Sequence, residues 1–222
     1  MMSEIGKFYF EGGVIMHFIL LCGIAGLAVT LERVIFLYFR YNINAHAFMA
    51  QIQKLVMGNN IDRAIKLCNA APTAALARVV KAGLTRANKG EREIHNALEE
   101  AVLEVVPLVQ KRITMLLSFA NLATLMGLVG TVFGLIGAFK ALATVSADKR
   151  QEALGLHVSV AMNTTAFGLA MAIGCLLGYI FVSSMATKIV NEIDLYGAKI
   201  ENLLCHRLRG TTPDGDEAGK AE

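Results

Sequence analysis

The chain has 222 residues, of which 55% are hydrophobic and 18% charged, with a formal net charge of +3 and a mean hydropathy of +0.52. A soluble domain carries about 25% charged residues, and the apolar residues fall in three blocks, so the composition points to a membrane chain and away from a large soluble core. No Lys/Arg cluster with interleaved aromatics occurs, which sets nucleic acid aside as a partner.

Residues 1–13 carry Glu4 and Glu11 against Lys7, where an export signal has a positive start. This segment is expected to be a periplasmic N-terminus, with the apolar block behind it a retained helix. The first span is predicted over residues 14–39. At about 1.5 Å rise per residue it can cross a hydrocarbon core of about 30 Å. Glu32 and Arg33 then fall near one interface, as a structural ion pair or a contact to a neighbouring protomer, and Phe36, Tyr38, Phe39 and Tyr41 form an aromatic belt.

Residues 40–112 read as a polar, helix-rich cytoplasmic region. Asn59-Asn60-Ile61-Asp62 is a helix start, with Ile61, Ala64, Ile65 and Cys68 at helical spacing. Ala71-Pro72-Thr73 ends that helix, and another runs over 75–87 to the break at Asn88-Lys89-Gly90. Ile94, Leu98, Ala101 and Val105 then mark a long amphipathic helix in which Pro107 predicts a kink.

The second span is predicted over 113–143 and the third over 155–187, joined by a short periplasmic loop, 144–154, that forces an antiparallel hairpin. No acidic residue lies between Glu104 and Asp148 or between Glu152 and Glu192, and Lys140 is the one charge inside either span. A cytoplasmic helix over 188–208 follows, on Ile189, Ile193, Tyr196, Ile200 and Leu203, and then a disordered tail, 209–222. The fold expected is an all-α membrane protein of three transmembrane helices with long cytoplasmic helical extensions. Arg40, Lys54, Lys111, Arg112, Lys188, Lys199 and Arg207 flank the spans on one side, against Lys7, Lys149 and Arg150 on the other, or four cations if Lys140 is included. The excess predicts the N-terminus outside and the C-terminus inside.

Phosphate-binding glycine loops, metal-ligand clusters and nucleophile elbows do not occur, so neither an enzyme nor a bound cofactor or metal is expected. Cys22, Cys68, Cys175 and Cys205 read as reduced thiols acting as small apolar residues. The histidines are distant from one another in sequence, and His157 sits at the outer mouth of the third span. Gly127, Gly130, Thr131, Gly134 and Ala138 recur on one face of the second span, and Ala161, Thr164/Thr165, Gly168, Ala172 and Cys175 on one face of the third. Small residues at this spacing let helices approach closely, so the glycines Gly127, Gly130, Gly134 and Gly168 read first as packing. Asn163, Thr164 and Thr165 place an amide and two hydroxyls in an apolar helix, where each must be bonded and where such clusters often face water or an ion path. A threonine can also bond its own backbone, which leaves Thr164 open between packing and function. Thr131 and Thr165, on facing stripes, are the residues expected to line an ion pathway.

The sequence resembles the ExbB/TolQ/MotA family of proton-channel motor subunits, nearest its three-span ExbB/TolQ branch. The resemblance rests on Leu31-Glu32-Arg33, on Ala77-Arg78-Val79-Val80-Lys81-Ala82-Gly83-Leu84, on Gly127-Leu128-Val129-Gly130-Thr131-Val132-Phe133-Gly134-Leu135-Ile136 and on Ala161-Met162-Asn163-Thr164-Thr165-Ala166-Phe167-Gly168-Leu169. It implies a homopentamer in the bacterial inner membrane, around a dimer of a single-span ExbD-, TolR- or MotB-like partner. Ions crossing at that interface would drive mechanical work for envelope transport or motility, with Thr131 and Thr165 along the path. Many relatives have a glutamate five residues before the threonine matched by Thr165, and this chain has Val160. The resemblance then implies that the titrating group is an intramembrane aspartate of the partner, and leaves proton and sodium both open. Two other readings compete: a passive membrane scaffold packed by the small-residue stripes, and a secondary transporter, which three spans without an internal repeat disfavour.

Overall fold

The computed structural model describes residues 12–41 and 44–211, and among these all regular structure is helical. Most of the expected N-terminal segment, and the tail from residue 212, lie outside the described residues. Three helices are long and apolar enough to cross a membrane. The chain divides into two compact units, one holding residues up to Val34 with Arg112–Val182, the other Ile35–Lys111 with the residues from Ser183 onward.

In the first unit, α1 (Gly13–Ile35) and α6 (Ile113–Thr144) pack against the N-terminal part of α7 (Arg150–Thr211). A π-helical stretch, Phe36–Tyr41, follows α1. The link between α6 and α7 is shorter than the expected loop 144–154. The 3₁₀ turn Ala147–Lys149 runs straight into α7, which begins at Arg150. Arg150-Gln151-Glu152-Ala153 are good helix formers, and Glu152 in the first turn meets the positive end of the helix dipole.

Helix α7 is also not interrupted where a span and a cytoplasmic helix were to be distinguished. It is one helix of 62 residues, about 93 Å long at 1.5 Å per residue. Ser183, Ser184 and Lys188 change its polarity without breaking its backbone. It extends to Thr211, so Arg209 belongs to its last turn, where the sequence placed the start of a disordered tail.

In the second unit, α2 (Ala45–Met57), α3 (Ile61–Ala70), α4 (Ala75–Thr85) and α5 (Glu91–Gln110) pack with the C-terminal part of α7. Asn44 caps α2, its Oδ1 accepting from Ala47 N at 3.2 Å. The turn to α3 is closed by Asn59 in the left-handed region (φ 57°), and α3 starts at Ile61 as its Asn-Asn-Ile-Asp sequence predicts. Helix α4 buries Ala75, Leu76, Ala77, Val79, Val80, Gly83 and Leu84, which is why it reads as nearly all apolar. A Cβ at Gly83 would lie 2.8 Å from Leu98 Cδ2 of α5. The stripe expected on α5 is its buried face: Ile94, Leu98, Ala101 and Val105, continued by Val109. The helix runs through Pro107 and ends at Gln110, three residues before α6 begins at Ile113. On the C-terminal part of α7 the buried residues are Ala186, Ile189, Ile193, Gly197, Ile200 and Leu204. Leu204 replaces the expected Leu203, because it stands one full turn beyond Ile200.

Candidate functional site

The candidate site is built on the antiparallel seam between α6 and α7, within the first unit. Glycine is required there by backbone contact. A Cβ at Gly127 would lie 3.3 Å from Thr165 Cα and 3.4 Å from Gly168 Cα, and one at Gly168 would lie 2.8 Å from the Ala123 carbonyl oxygen. Gly134 faces Ala161, whose Cα would be 3.0 Å from such a Cβ, and Gly137 faces His157, with Nδ1 at 3.0 Å. Gly130 opposes the Thr164 hydroxyl. The four glycines singled out from the sequence thus come together in one register.

The polar residues divide by position. Thr164 is 2% exposed, and its hydroxyl donates to the Ala161 carbonyl of its own helix at 2.8 Å, so its place is inside the packed seam. Thr165 is half-buried and donates across the seam to the Gly127 carbonyl at 2.9 Å. Thr131 is half-buried and donates to the Leu128 carbonyl at 2.6 Å. Thr131 follows the buried Gly130 by one residue, as Thr165 follows the buried Thr164. In an antiparallel pair the same angular step on each helix leads to the same flank, so both hydroxyls border one side of the seam. Asn163, two residues before Thr165, is about 200° away around α7 and lies half-buried on the other flank.

Both threonine protons are committed to carbonyls of α6, so the two oxygens offer lone pairs. They can accept from water, from hydronium or from a protonated carboxyl, or coordinate a bare cation. Leu128, Leu135, Met162 and Leu169 beside them are exposed in the single chain. Neither α6 nor residues 153–187 of α7 contain a carboxylate, so the flank supplies acceptors and no proton-carrying acid of its own.

Glu32 is engaged by a residue distant in sequence. Arg112 Nη1 donates to both Glu32 oxygens, at 2.6 and 2.7 Å, while Arg33 is buried at 4% exposure. Arg112, with φ 61°, marks the break between α5 and α6. A second close contact escaped the sequence reading altogether. Gly23 and Gly26 of α1 rest on Met171 and Cys175 of α7, and Gly178 rests on Thr30. The three-residue spacing of Gly23 and Gly26 was the available signal, masked by the uniformly apolar run around it. The four cysteines are free.

Residues 71–195 match the profile of the MotA/TolQ/ExbB proton channel family. The chain belongs to this family. The match covers the whole α6–α7 seam, with Thr131 and Thr165 inside it. A putative biopolymer transport protein ExbB homolog from Methanothermobacter thermautotrophicus is 24% identical over 185 residues, which is 83% of this chain and 65% of that protein. The chain therefore spans just under two thirds of that relative's length. Among solved structures, C. jejuni MotAB aligns over 93% of this chain and 85% of its own, with a TM-score of 0.50 and 15% identity. That likeness concerns the fold. Family and helices together make the chain a multi-pass membrane protein.

Proposed function

We propose that this chain is the channel-wall subunit of a proton-driven motor complex. Five copies would surround a dimer of a single-span ExbD-, TolR- or MotB-like partner in the bacterial inner membrane, in contact with membrane lipid, with the N-terminus periplasmic and the C-terminus cytoplasmic. The complex would convert ion-motive force into mechanical work, and the chain itself would catalyse no reaction. The observation that carries this reading is the pair Thr131 and Thr165, two acceptor oxygens on one open flank of a helix hairpin without carboxylates.

The chemistry follows from that pairing. A partner aspartate, protonated, can donate to a threonine oxygen and lie against the apolar flank as a neutral group. Once ionised it loses that donor and faces lone pairs, so it is repelled from the wall and attracted to water. Protonation therefore changes which position against the wall is favourable, and each charge crossing 100 mV supplies roughly 2.3 kcal/mol to drive the exchange. The cation-coordinating capacity of the same oxygens would also admit sodium.

The test is ion-driven activity of the assembled complex carrying Thr131→Val or Thr165→Val. Each should abolish activity while the oligomer assembles, and Thr165→Ser should retain most of it. Full activity in both valine variants would overturn the roles given to the two hydroxyls. The passive-scaffold reading is supported by the sealed position of Thr164, and it predicts the opposite result: tolerance of valine at both positions and no ion flux from any complex.

A further inference from the structure

Helices α2 and α3 form a hairpin whose outer side carries a groove of about 590 Å³ lined by Gln51, Lys54, Leu55, Arg63, Lys66 and Leu67. Leu55 and Leu67 are half-buried and give it an apolar floor, and Lys54, Arg63 and Lys66 are exposed at its rim. No carboxylate lines it, and none of the three cations enters an ion pair among the described residues. The channel reading makes no use of this groove.

Within the same unit, the end of α7 is held against the turn of this hairpin. Arg207 donates to Asn59 Oδ1 at 2.6 Å, and Val56, Met57, Asn59, Leu203 and His206 border one small cavity there. The described part of α7 ends at Thr211, one turn past Arg207. The residues beyond, Thr212-Pro213-Asp214-Gly215-Asp216-Glu217-Ala218-Gly219-Lys220-Ala221-Glu222, hold four acidic side chains against one lysine.

We propose that the α2–α3 groove is the docking surface for the chain's own acidic segment 212–222, with Asp214, Asp216 and Glu217 against Lys54, Arg63 and Lys66. The reach is sufficient. Residues 214–217 lie three to six links beyond Thr211, or about 10–20 Å extended, and Lys54 and Arg63 stand within five residues of Asn59 on either side of the turn. Opposite charges would meet at a rim whose cations form no salt bridge among the described residues, and the floor would accept the apolar atoms of Pro213 and Ala218.

Carbodiimide coupling of the full-length protein in nanodiscs tests this, because the reagent joins carboxylates to lysine amines only where they already touch. Mass spectrometry should find residues 214–217 coupled to Lys54 or Lys66 within one chain. Coupling to Lys66 should fall at least fivefold in the double variant Lys54→Gln, Arg63→Gln, which removes rim charge but leaves Lys66 and every carboxylate in place, and likewise in 0.5 M salt. Coupling of the segment to other lysines, or a Lys66 yield unchanged in that double variant, would overturn the proposal. So would coupling found only between isotopically distinct chains, which would make the occupant a second copy. A variant ending at Thr211 offers a second reading. If it binds phosphatidylglycerol vesicles no more tightly than the full chain and no intrachain coupling is seen, the groove is not the segment's site. If vesicle binding through Lys54, Arg63 and Lys66 is equal in both forms, the groove serves a lipid headgroup instead.

Discussion

Replacing Gly168 by alanine puts the helix seam to its most direct mechanical test. The new Cβ would lie 2.8 Å from the Ala123 carbonyl oxygen, 3.0 Å from Gly127 Cα and 3.2 Å from Gly127 N. All three are backbone atoms, so no side chain can swing aside, and α6 and α7 must separate by a fraction of an ångström. Overpacking of this kind costs about 1–3 kcal/mol. Alanine also gains about 1 kcal/mol of helix propensity over glycine, which would hide part of the cost. Gly174→Ala in the same helix is the control, since nothing lies within 4 Å of a Cβ there, and it carries the propensity gain alone. The two variants should therefore differ in unfolding free energy by about 1–3 kcal/mol, with Gly168→Ala the less stable. Equilibrium unfolding in mixed detergent micelles, followed by circular dichroism, measures that difference. Gly168→Ala as stable as Gly174→Ala would refute the close backbone approach and the register built on it.

Arg112→Ala should destabilise the first unit by about 0.5–1 kcal/mol through loss of the half-exposed Glu32 pair. Arg112→Gly should be about 1 kcal/mol more stable than Arg112→Ala, because glycine adopts the positive φ without penalty; the reverse order in the same unfolding assay would contradict that geometry. Cys68 is 2% exposed, and burial, partly offset by Lys81, pushes its thiol up to about 11. It should react with iodoacetamide at pH 8 far more slowly in the folded protein than in the unfolded chain, and equal rates would refute its burial. Because the folded thiol holds its proton more tightly, this contribution to stability is complete below pH 9, the ordinary value, and is lost between there and about pH 11.

Much of this architecture is legible in the residues. Ile94, Leu98, Ala101 and Val105 repeat at a period that only one helical face satisfies, and they are that face. Gly127, Gly130, Gly134 and Gly168 stand where small residues are needed because their spacing matches a helix pair in close contact. What was hidden follows from the locality of sequence signals. A change from apolar to polar at Ser183 marks a change of surroundings, not of backbone, so the continuity of α7 could not be read from composition. Glu32 finds Arg112, 80 residues away, and no local pattern specifies so distant a partner. Thr164 and Thr165 are adjacent and chemically identical, yet one faces into the seam and the other across its edge. A single-residue step of about 100° separates their roles, and only the register against α6 decides which is which.

The central claim is that this subunit forms an ion-conducting wall for a partner's carboxyl group. Proton uptake into proteoliposomes, read with a pH-sensitive dye, tests it most directly, using the chain purified with the proposed single-span partner and an imposed potential of about 100 mV. Uptake should require both proteins and should vanish when Thr165→Val replaces the native chain. Uptake by neither combination, or uptake that Thr165→Val leaves unchanged, would contradict the account.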